Sequence, residues 1–280
     1  MKASLWVFVV LIAIAVLCLI FYFIFRTTAS PIRFPKRVAT DLPDCPIWMY
    51  WEGRKPTIIK MCEESVEFQA KKANLSIITL SPNTISSYVI MPSIYFTLTP
   101  SQKSDILRCA LLYRYGGIWL DSDLVGVGSF DLLYRFFTLH PFFAYYLEKE
   151  DSHMVCCLIS QVNSKISKLW FDKTNKLLCS HHKSFKEKAF GINSLDSILK
   201  KNKEEMGTLE ARRSVHPIPT SSYSKTIDVK DLSRYKLPYQ PFIVLFHSML
   251  GDELRMLSEM QVRQSDKIPC VLVSNWSRFE

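Results

Sequence analysis

Several patterns that would identify common classes of protein are missing from this sequence. The eight cysteines form no C-x-x-C pair, so a cysteine-ligated zinc site is not predicted. The basic residues give a net charge of +9, yet they are spread along the chain and form no stripe with interleaved aromatics. Nucleic-acid binding is therefore not predicted. No internal repeat or low-complexity tract is present, which argues against a repeat protein.

Long hydrophobic runs are also rare, and the main one lies near the N-terminus. Leu5–Phe25 is apolar for about twenty residues, enough to cross a bilayer of roughly 30 Å as a helix. No small-residue cleavage site follows it cleanly, although a cleaved signal peptide is the alternative. We predict a short tail at 1–4, a transmembrane signal anchor at 5–25, a stem at 26–45 and one domain at 46–280.

The orientation of this predicted anchor is open, because two signals disagree. Lys2 is the only charged residue before the span, and several basic residues follow it, which favours a cytosolic domain. Asn74-Leu-Ser76 and Asn275-Trp-Ser277 are glycosylation sequons, which favour a secretory lumen. We expect a single-pass membrane protein, with the Golgi or secretory pathway favoured and a cytosol-facing domain left open.

The start of the domain shows an alternation of strand and helix patterns. Residues 46–53 are an apolar-aromatic run suited to a buried strand, Pro56–Lys72 has helical spacing, and Asn74–Leu80 is typical of a second strand. This order predicts an α/β fold with a mostly parallel sheet flanked by helices.

Further elements are predicted in the second half with weaker patterns. Val155–Ser160 is typical of a strand and Lys165–Leu178 of a helix, and late strands are expected at Phe242–Phe246 and Cys270–Val273. The polar stretch 183–213 is interpreted as a mobile or acceptor-facing insertion.

One helix has clear signals at both ends. Thr99 and Gln102 form a capping-box pattern with Pro100 in the first turn, and Gly116-Gly117 marks the end. The short strand Ile118–Leu120 follows. We expect the glycines to let the connection turn tightly over a bound ligand.

Directly after that short strand, Asp121-Ser-Asp123 places two carboxylates at its end. Mn²⁺ and Mg²⁺ bind such oxygen ligands together with phosphates, and a bound ion stabilises a departing diphosphate. Asp105 and Arg108 share one face of the preceding helix. They are either an exposed ion pair of little energetic worth or, if the helix packs on the strand, part of the same site. The second interpretation is the chemistry that a nucleotide-sugar glycosyltransferase needs.

The segments Ser104-Asp105-Ile-Leu-Arg108 and Gly116-Gly-Ile-Trp119-Leu-Asp121-Ser-Asp123 resemble the signature of the DXD-containing glycosyltransferases, most closely the capsular-polysaccharide-synthesis type. The resemblance covers roughly 46–133. It implies a GT-A fold, a divalent cation (Mn²⁺ or Mg²⁺), a UDP- or GDP-sugar donor, a glycan, lipid or protein acceptor, and retention of anomeric configuration.

The resemblance also implies roles for individual residues. The donor-binding candidates are Trp51, Ser104, Asp105, Arg108, Trp119 and Asp121, with Asp121 and Asp123 at the metal. Ser274-Asn-Trp276 resembles an element that closes over metal and phosphate in some relatives, and His247 is a competing metal-ligand candidate. Trp51, Trp119 and His247 also have ordinary structural interpretations. No nucleophile or general base is expected, because the leaving phosphate can help to deprotonate the acceptor in a front-face displacement.

Two other functions stay open at this point. A haloacid-dehalogenase-type phosphatase would use Asp121 as nucleophile and Asp123 as general acid. However, a strand–helix–strand unit precedes this motif, and the late Asp252-Glu253 lacks the expected acidic partner. The other alternative is a membrane-anchored binding or scaffold protein that has kept the fold without the activity.

Overall fold

The computed structural model describes residues 12–18, 30–36, 42–180, 184–211, 215, 225, 227–231, 240–245 and 250–279. Of the predicted anchor Leu5–Phe25, only 12–18 belong to these ranges, and they are helical. Within the described ranges, no helix has the length and apolar character needed to span a membrane. The predicted metal ligand His247 lies outside the described residues.

The domain alternates strands and helices over most of its length. The strands are β1 (Ile47–Tyr50), β2 (Ile77–Leu80), β3 (Gly117–Leu120), β4 (Leu124–Gly126), β5 (Phe142–Leu147), β6 (Ser152–Ser160), β7 (Gly207–Glu210) and β8 (Phe242–Val244). The helices are α1 (Thr57–Lys72), α2 (Pro100–Tyr115), α3 (Asp131–Leu139), α4 (Lys165–Cys179), α5 (Ile192–Leu199), α6 (Asp252–Arg255), α7 (Glu259–Gln264) and α8 (Ile268–Ser274). Short 3-10 turns lie at Ile85–Ser87, Ser93–Thr97, Lys203–Glu205 and Trp276–Phe279.

Six strands form the central sheet in the order β2-β1-β3-β6-β5-β7. β1 is parallel to both β2 and β3, and β7 is parallel to β5. β6 is antiparallel to both of its neighbours. The predicted α/β fold with a mostly parallel sheet is confirmed, and the parallel β1–β2 pair follows directly from the strand–helix–strand order. β4 and β8 form a separate two-stranded antiparallel sheet.

The central strands are buried on both faces of the sheet. Because side chains alternate along a strand, Trp48 and Trp119 join the hydrophobic cluster that includes residues of α2 and α4. Met49 and Ile118 join a second cluster that includes residues of α1 and α3. Helices therefore flank the sheet on both sides, as in other α/β folds whose parallel strands are fully covered.

Three predictions for the second half need correction or refinement. Cys270–Val273 is wrong as a strand: it lies in α8, where Pro269 occupies the first turn and all four residues are buried. A short apolar run fits a buried helix as well as a strand. Phe242–Phe246 does contain β8, but this strand pairs with β4 outside the central sheet. The stretch 183–213 contributes α5 and β7, so it is in part an integral element of the fold.

Candidate functional site

The helix α2 begins where its capping signals predict. The Thr99 hydroxyl accepts a hydrogen bond from the N–H of Gln102 at 3.3 Å, and the Thr99 N–H donates to the Gln102 side chain at 3.2 Å. This capping box satisfies two N–H groups that the first turn would otherwise leave without partners. The start of α2, which carries Asp105 and Arg108, is thereby fixed.

The end of α2 depends on two glycines with positive φ angles, 65° at Gly116 and 94° at Gly117. A Cβ atom on Gly117 would lie 2.3 Å from the carbonyl oxygen of Pro46, and one on Gly116 would lie 2.9 Å from that of Ser160. The chain therefore reverses tightly, and α2 returns along β3. The prediction that the glycines turn over the ligand is wrong, because they lie at the start of β3, whereas Asp121 follows the end of this strand.

This reversal brings the start of α2 beside the end of β3, where four side chains form what we call the carboxylate cluster: Asp105, Arg108, Trp119 and Asp121. Arg108 Nη2 donates to Asp121 Oδ1 at 2.6 Å, and Arg108 Nη1 lies 3.2 Å from Asp105 Oδ1. The indole N–H of Trp119 donates to the same Asp121 oxygen at 2.7 Å. The Arg108 side chain is only 3% exposed, so the interpretation as a solvated surface ion pair is wrong.

Burial controls the electrostatics of this cluster. It raises the pKa of Asp105 to about 6, against the opposing effect of the Arg108 charge, and the negative charge of Asp121 adds to the rise. Burial also raises the pKa of Asp121, again opposed by Arg108, and the nearby charge of Asp123 raises it further. Two buried carboxylates thus share the Arg108 guanidinium, and the charge of Asp123 adds to the repulsion at Asp121.

The guanidinium of Arg108 has hydrogen-bonding capacity left over. Its Nε and Nη1 atoms are buried and make no hydrogen bond to any described residue, although Nη1 forms the ion pair with Asp105. Buried donors without a hydrogen bond are rare in folded proteins, and here they fit a site that takes an oxygen-rich ligand. An oxygen-rich group such as a phosphate or a sugar would supply the acceptors.

The arrangement of Asp121 and Asp123 fits a divalent cation. Asp121 Oδ1 already accepts two hydrogen bonds, which leaves Oδ2 and the carboxylate of Asp123 as the oxygens suited to a hard ion. The two like charges raise the pKa of Asp121, and a cation would relieve this repulsion. In the part of the chain that is described, no three His, Cys, Asp or Glu side chains gather to hold a metal by themselves. Phosphate or water oxygens would have to complete the coordination.

Two of the remaining predicted donor contacts lie near this site. Ser104 is half-buried on α2 next to Asp105. Trp51 follows β1 at the same edge of the sheet and packs, half-buried, against the cluster of apolar residues from α1 and the C-terminal helices. Trp119 is fully buried, so in this structure it contacts Asp121 and presents no surface to a donor.

Ser274 and Trp276 lie at the end of the chain. Ser274 ends α8, and its buried hydroxyl has no hydrogen-bond partner among the described residues. The ring of Trp276 lies 4.9 Å from that of Phe68, which is in the second half of α1. Trp276 and Trp51 pack against the same cluster of apolar residues from α1 and the C-terminal helices. Their predicted role in donor binding stays a prediction.

The sequence-based reasoning missed several charged and polar residues at this edge. Lys103 Nζ binds Glu52 Oε1 at 2.8 Å, and the Tyr50 hydroxyl donates to Glu52 Oε2 at 2.9 Å. Glu52 follows the predicted Trp51, and Lys103 precedes the predicted Ser104. Their positions next to predicted site residues could have indicated them. The main-chain N–H of Gly191 donates to the Asp105 carboxylate, and no local pattern announces this contact.

With this geometry in view, comparison with known proteins identifies the family. A family profile described as "Capsular polysaccharide synthesis protein" matches residues 30–218. The match covers more than half of the chain, so the chain belongs to this family. The predicted family is confirmed, and with it the enzyme class, a glycosyltransferase. No curated protein matches the sequence.

Solved structures with a similar course of the chain include three glycosyltransferases. One is involved in the glycosylation of the major capsid of PBCV-1 (10% identity, 73% of this chain and 96% of that chain, TM-score 0.43). Another is the galactosyltransferase LgtC with donor and acceptor sugar analogues (11% identity, 84% of this chain and 93% of that chain, TM-score 0.43). A third is the apo form of GlyE from Streptococcus pneumoniae TIGR4 (10% identity, 84% of this chain and 61% of that chain, TM-score 0.44).

Proposed function

We propose that this protein transfers a sugar from a UDP- or GDP-sugar donor to a glycan, lipid or protein acceptor, with retention of configuration. The observation that carries the proposal is the carboxylate cluster, in which a buried guanidinium joins Asp105 to Asp121 at the edge of the sheet where β1 and β3 end. Ligands bind at such edges of parallel sheets in α/β folds.

Each member of the cluster has a role in this proposal. Arg108 is buried with unused donors, which suits it to bind the oxygens of a sugar or diphosphate. Asp105 accepts hydrogen bonds from sugar hydroxyls, and Ser104 adjoins it. Trp119 holds Asp121 Oδ1 and so keeps the carboxylate in one orientation. Trp51, at the end of β1, stacks on the donor base in this proposal.

Asp123 and Asp121 Oδ2 would hold Mn²⁺ or Mg²⁺, which when bound supplies Lewis-acid stabilisation of the leaving diphosphate. We name no nucleophile. The phosphatase alternative requires Asp121 as the nucleophile, yet its Oδ1 accepts hydrogen bonds from both Arg108 and Trp119. Such bonds lower the reactivity of a carboxylate, and the family match also speaks against this alternative.

The reaction is tested with the full-length chain in detergent. A panel of UDP- and GDP-sugars is incubated with Mn²⁺ or with EDTA, and release of nucleoside diphosphate is measured. We expect turnover of one donor, lost in EDTA and in Asp123→Ala. Asp172→Ala is the matched control, because it removes an exposed carboxylate whose ion pair in the described part of the chain is with the exposed Lys168. Tight binding without turnover, even with candidate acceptors added, would favour the inactive scaffold protein instead.

We further propose that the protein is a single-pass membrane protein whose domain lies in the Golgi or secretory lumen. Asn74 supports a test, because it is exposed in a turn, whereas the side-chain amide of Asn275 donates to the Val271 carbonyl at 2.9 Å. In a lumenal domain, Asn74 is the more accessible acceptor for a glycan. A mobility shift removed by endoglycosidase and absent in Asn74→Gln would support this orientation. Digestion by added protease only after the membrane is lysed would support lumenal placement even without a glycan. Digestion in intact microsomes would overturn it.

A further inference from the structure

The segment Phe185–Gly191, here called the covering segment, lies over the start of α2. The side-chain amide of Gln102 donates to the carbonyls of Phe185 at 3.2 Å and of Lys186 at 3.3 Å. At the other end, the buried indole N–H of Trp170 donates to the carbonyl of Phe190 at 2.7 Å. Side chains of α2 and α4 therefore hold the covering segment from both ends.

The segment is also tied to the helix that follows it. The Ser194 hydroxyl donates to the carbonyl of Ala189 at 2.6 Å, and the N–H of Ser194 donates to the carbonyl of Gly191 at 3.0 Å. Phe190 is fully buried, and its ring lies 4.8 Å from that of Phe185. A segment with this many buried contacts keeps a fixed position relative to α2.

Gly191, the last residue of the covering segment, contacts Asp105 directly. Its N–H donates to the Asp105 carboxylate. A Cβ atom at Gly191 would lie 2.2 Å from Asp105 Oδ2, 2.5 Å from Cγ and 2.6 Å from Oδ1. No side chain fits there unless the carboxylate moves, and the carboxylate is the part of that contact which can rotate.

On its other side the carboxylate meets Arg108: Asp105 Oδ1 is paired with Arg108 Nη1, and Arg108 is itself held in place by its hydrogen bond to Asp121. The Asp105 rotamer is thus set from two sides, by the guanidinium and by the Gly191 amide. We propose that Gly191 is a positioning residue for the donor sugar: it holds the Asp105 carboxylate in the orientation in which it receives sugar hydroxyls. This inference rests on the proposed function.

The position of the contact predicts which part of the donor is affected. Asp105 is the candidate sugar ligand, whereas Asp121 and Asp123 are the candidates for the diphosphate and its cation. Gly191→Ala should therefore weaken productive binding of the sugar and leave binding of the nucleoside diphosphate intact. A general folding defect would weaken both.

The experiment compares full-length wild type, Gly191→Ala and Gly251→Ala with the donor that wild type turns over. Gly251→Ala is the matched control, because a Cβ there has no atom of the described residues within 4 Å. For Gly191→Ala we expect kcat/KM for the nucleotide-sugar to fall about tenfold or more. The Kd for UDP or GDP with Mn²⁺ should stay within about twofold of wild type, and Gly251→Ala should match wild type in both measurements.

A second variant covers the case in which Gly191→Ala does not fold. Trp170→Phe removes the hydrogen bond to Phe190 and retains a buried ring, so it loosens the covering segment without adding an atom near Asp105. We expect the same selective loss, about two- to fivefold. Equal losses in turnover and nucleotide binding, or unchanged turnover in both variants, would overturn the inference. A wild type that turns over no donor would instead overturn the proposed function on which it rests.

Discussion

The two ends of the short strand β3 solve different physical problems. At its start, Gly117 lies against Pro46, and the fully buried Trp48 donates its indole N–H to the carbonyl of Gly116 at 2.8 Å. At its end, the equally buried Trp119 donates to a carboxylate, Asp121, that also binds Arg108. The start is neutral and fixes the backbone, whereas the end concentrates charge. Substitutions at the start should therefore change stability alone, and those at the end should change activity as well.

The largest effect on stability is expected for Gly117→Ala. The new Cβ would meet Pro46 O at 2.3 Å in a backbone with φ of 94°, so the turn between α2 and β3 cannot form as it stands. We expect a loss of roughly 4 kcal/mol or more in the free energy of unfolding, measured by urea denaturation. Gly53→Ala is the control, because φ there is 85° but nothing lies within 4 Å. It should cost only about 1–2 kcal/mol, and equal losses would contradict the packing argument.

At the other end, Arg108→Met should reduce both stability and activity. The substitution leaves Asp105 and Asp121 without their shared cation, and such loss of one partner of a buried ion pair costs about 3–5 kcal/mol. Turnover of the donor should fall by about two orders of magnitude or more, because the proposed site loses the guanidinium that binds the donor. Turnover measured at a temperature at which both proteins are still folded separates the loss of activity from the loss of stability. Near wild-type turnover would show that the cluster is only structural.

A pH dependence distinguishes the charged end further. The pKa of Asp105 rises from an ordinary 3.8 to about 6 on folding, chiefly through burial. Between these values the folded state binds more protons than the unfolded state, so the contribution of Asp105 to stability decreases as pH rises from about 4 to about 6, by roughly 3 kcal/mol. Asp105→Asn should lack this decrease. The free energy of unfolding of the variant relative to wild type should therefore increase over that interval, and a constant difference would contradict the assigned shift.

The smallest effect, and the most selective, is expected from the two tryptophans. Trp119→Phe and Trp48→Phe each remove one indole N–H from a fully buried site, so both should cost about 1–3 kcal/mol of stability. Only Trp119→Phe frees Asp121, and only it should lower kcat, by about tenfold. Equal turnover in the two variants, measured with saturating donor, would show that Asp121 does not depend on Trp119 for its orientation.

Local patterns predicted the elements around β3 because the signals are contained in a few neighbouring residues. The capping box at Thr99 and Gln102 and the glycine pair each report on one turn of backbone. The meeting of Asp105, Arg108 and Asp121 was also predictable, because a helix that reverses into a strand must return its first turns to the strand's far end. The pattern did not reveal that the glycines turn the chain at the start of β3, away from the carboxylates at its end.

Contacts between distant parts of the chain were not predictable from one sequence. Gly191 reaches Asp105 only because Gln102 and Trp170 hold the covering segment in place, and no periodicity encodes that arrangement. For Trp276, similarity of a tripeptide suggested a place near the donor, and this stays a prediction. The packing of its ring on Phe68 was not predicted, because apolar packing has no directional signal in sequence.

The most direct test of the account measures equilibrium binding of UDP and GDP to the full-length protein by calorimetry, with Mn²⁺ and with EDTA. We expect one of the two nucleotides to bind wild type and Asp172→Ala with the same Kd in Mn²⁺. In EDTA its Kd for both proteins should be at least about tenfold higher, and Asp123→Ala should show this higher Kd with Mn²⁺ and with EDTA. Binding that is unchanged by EDTA and by Asp123→Ala would contradict a donor site built on the carboxylates at the end of β3.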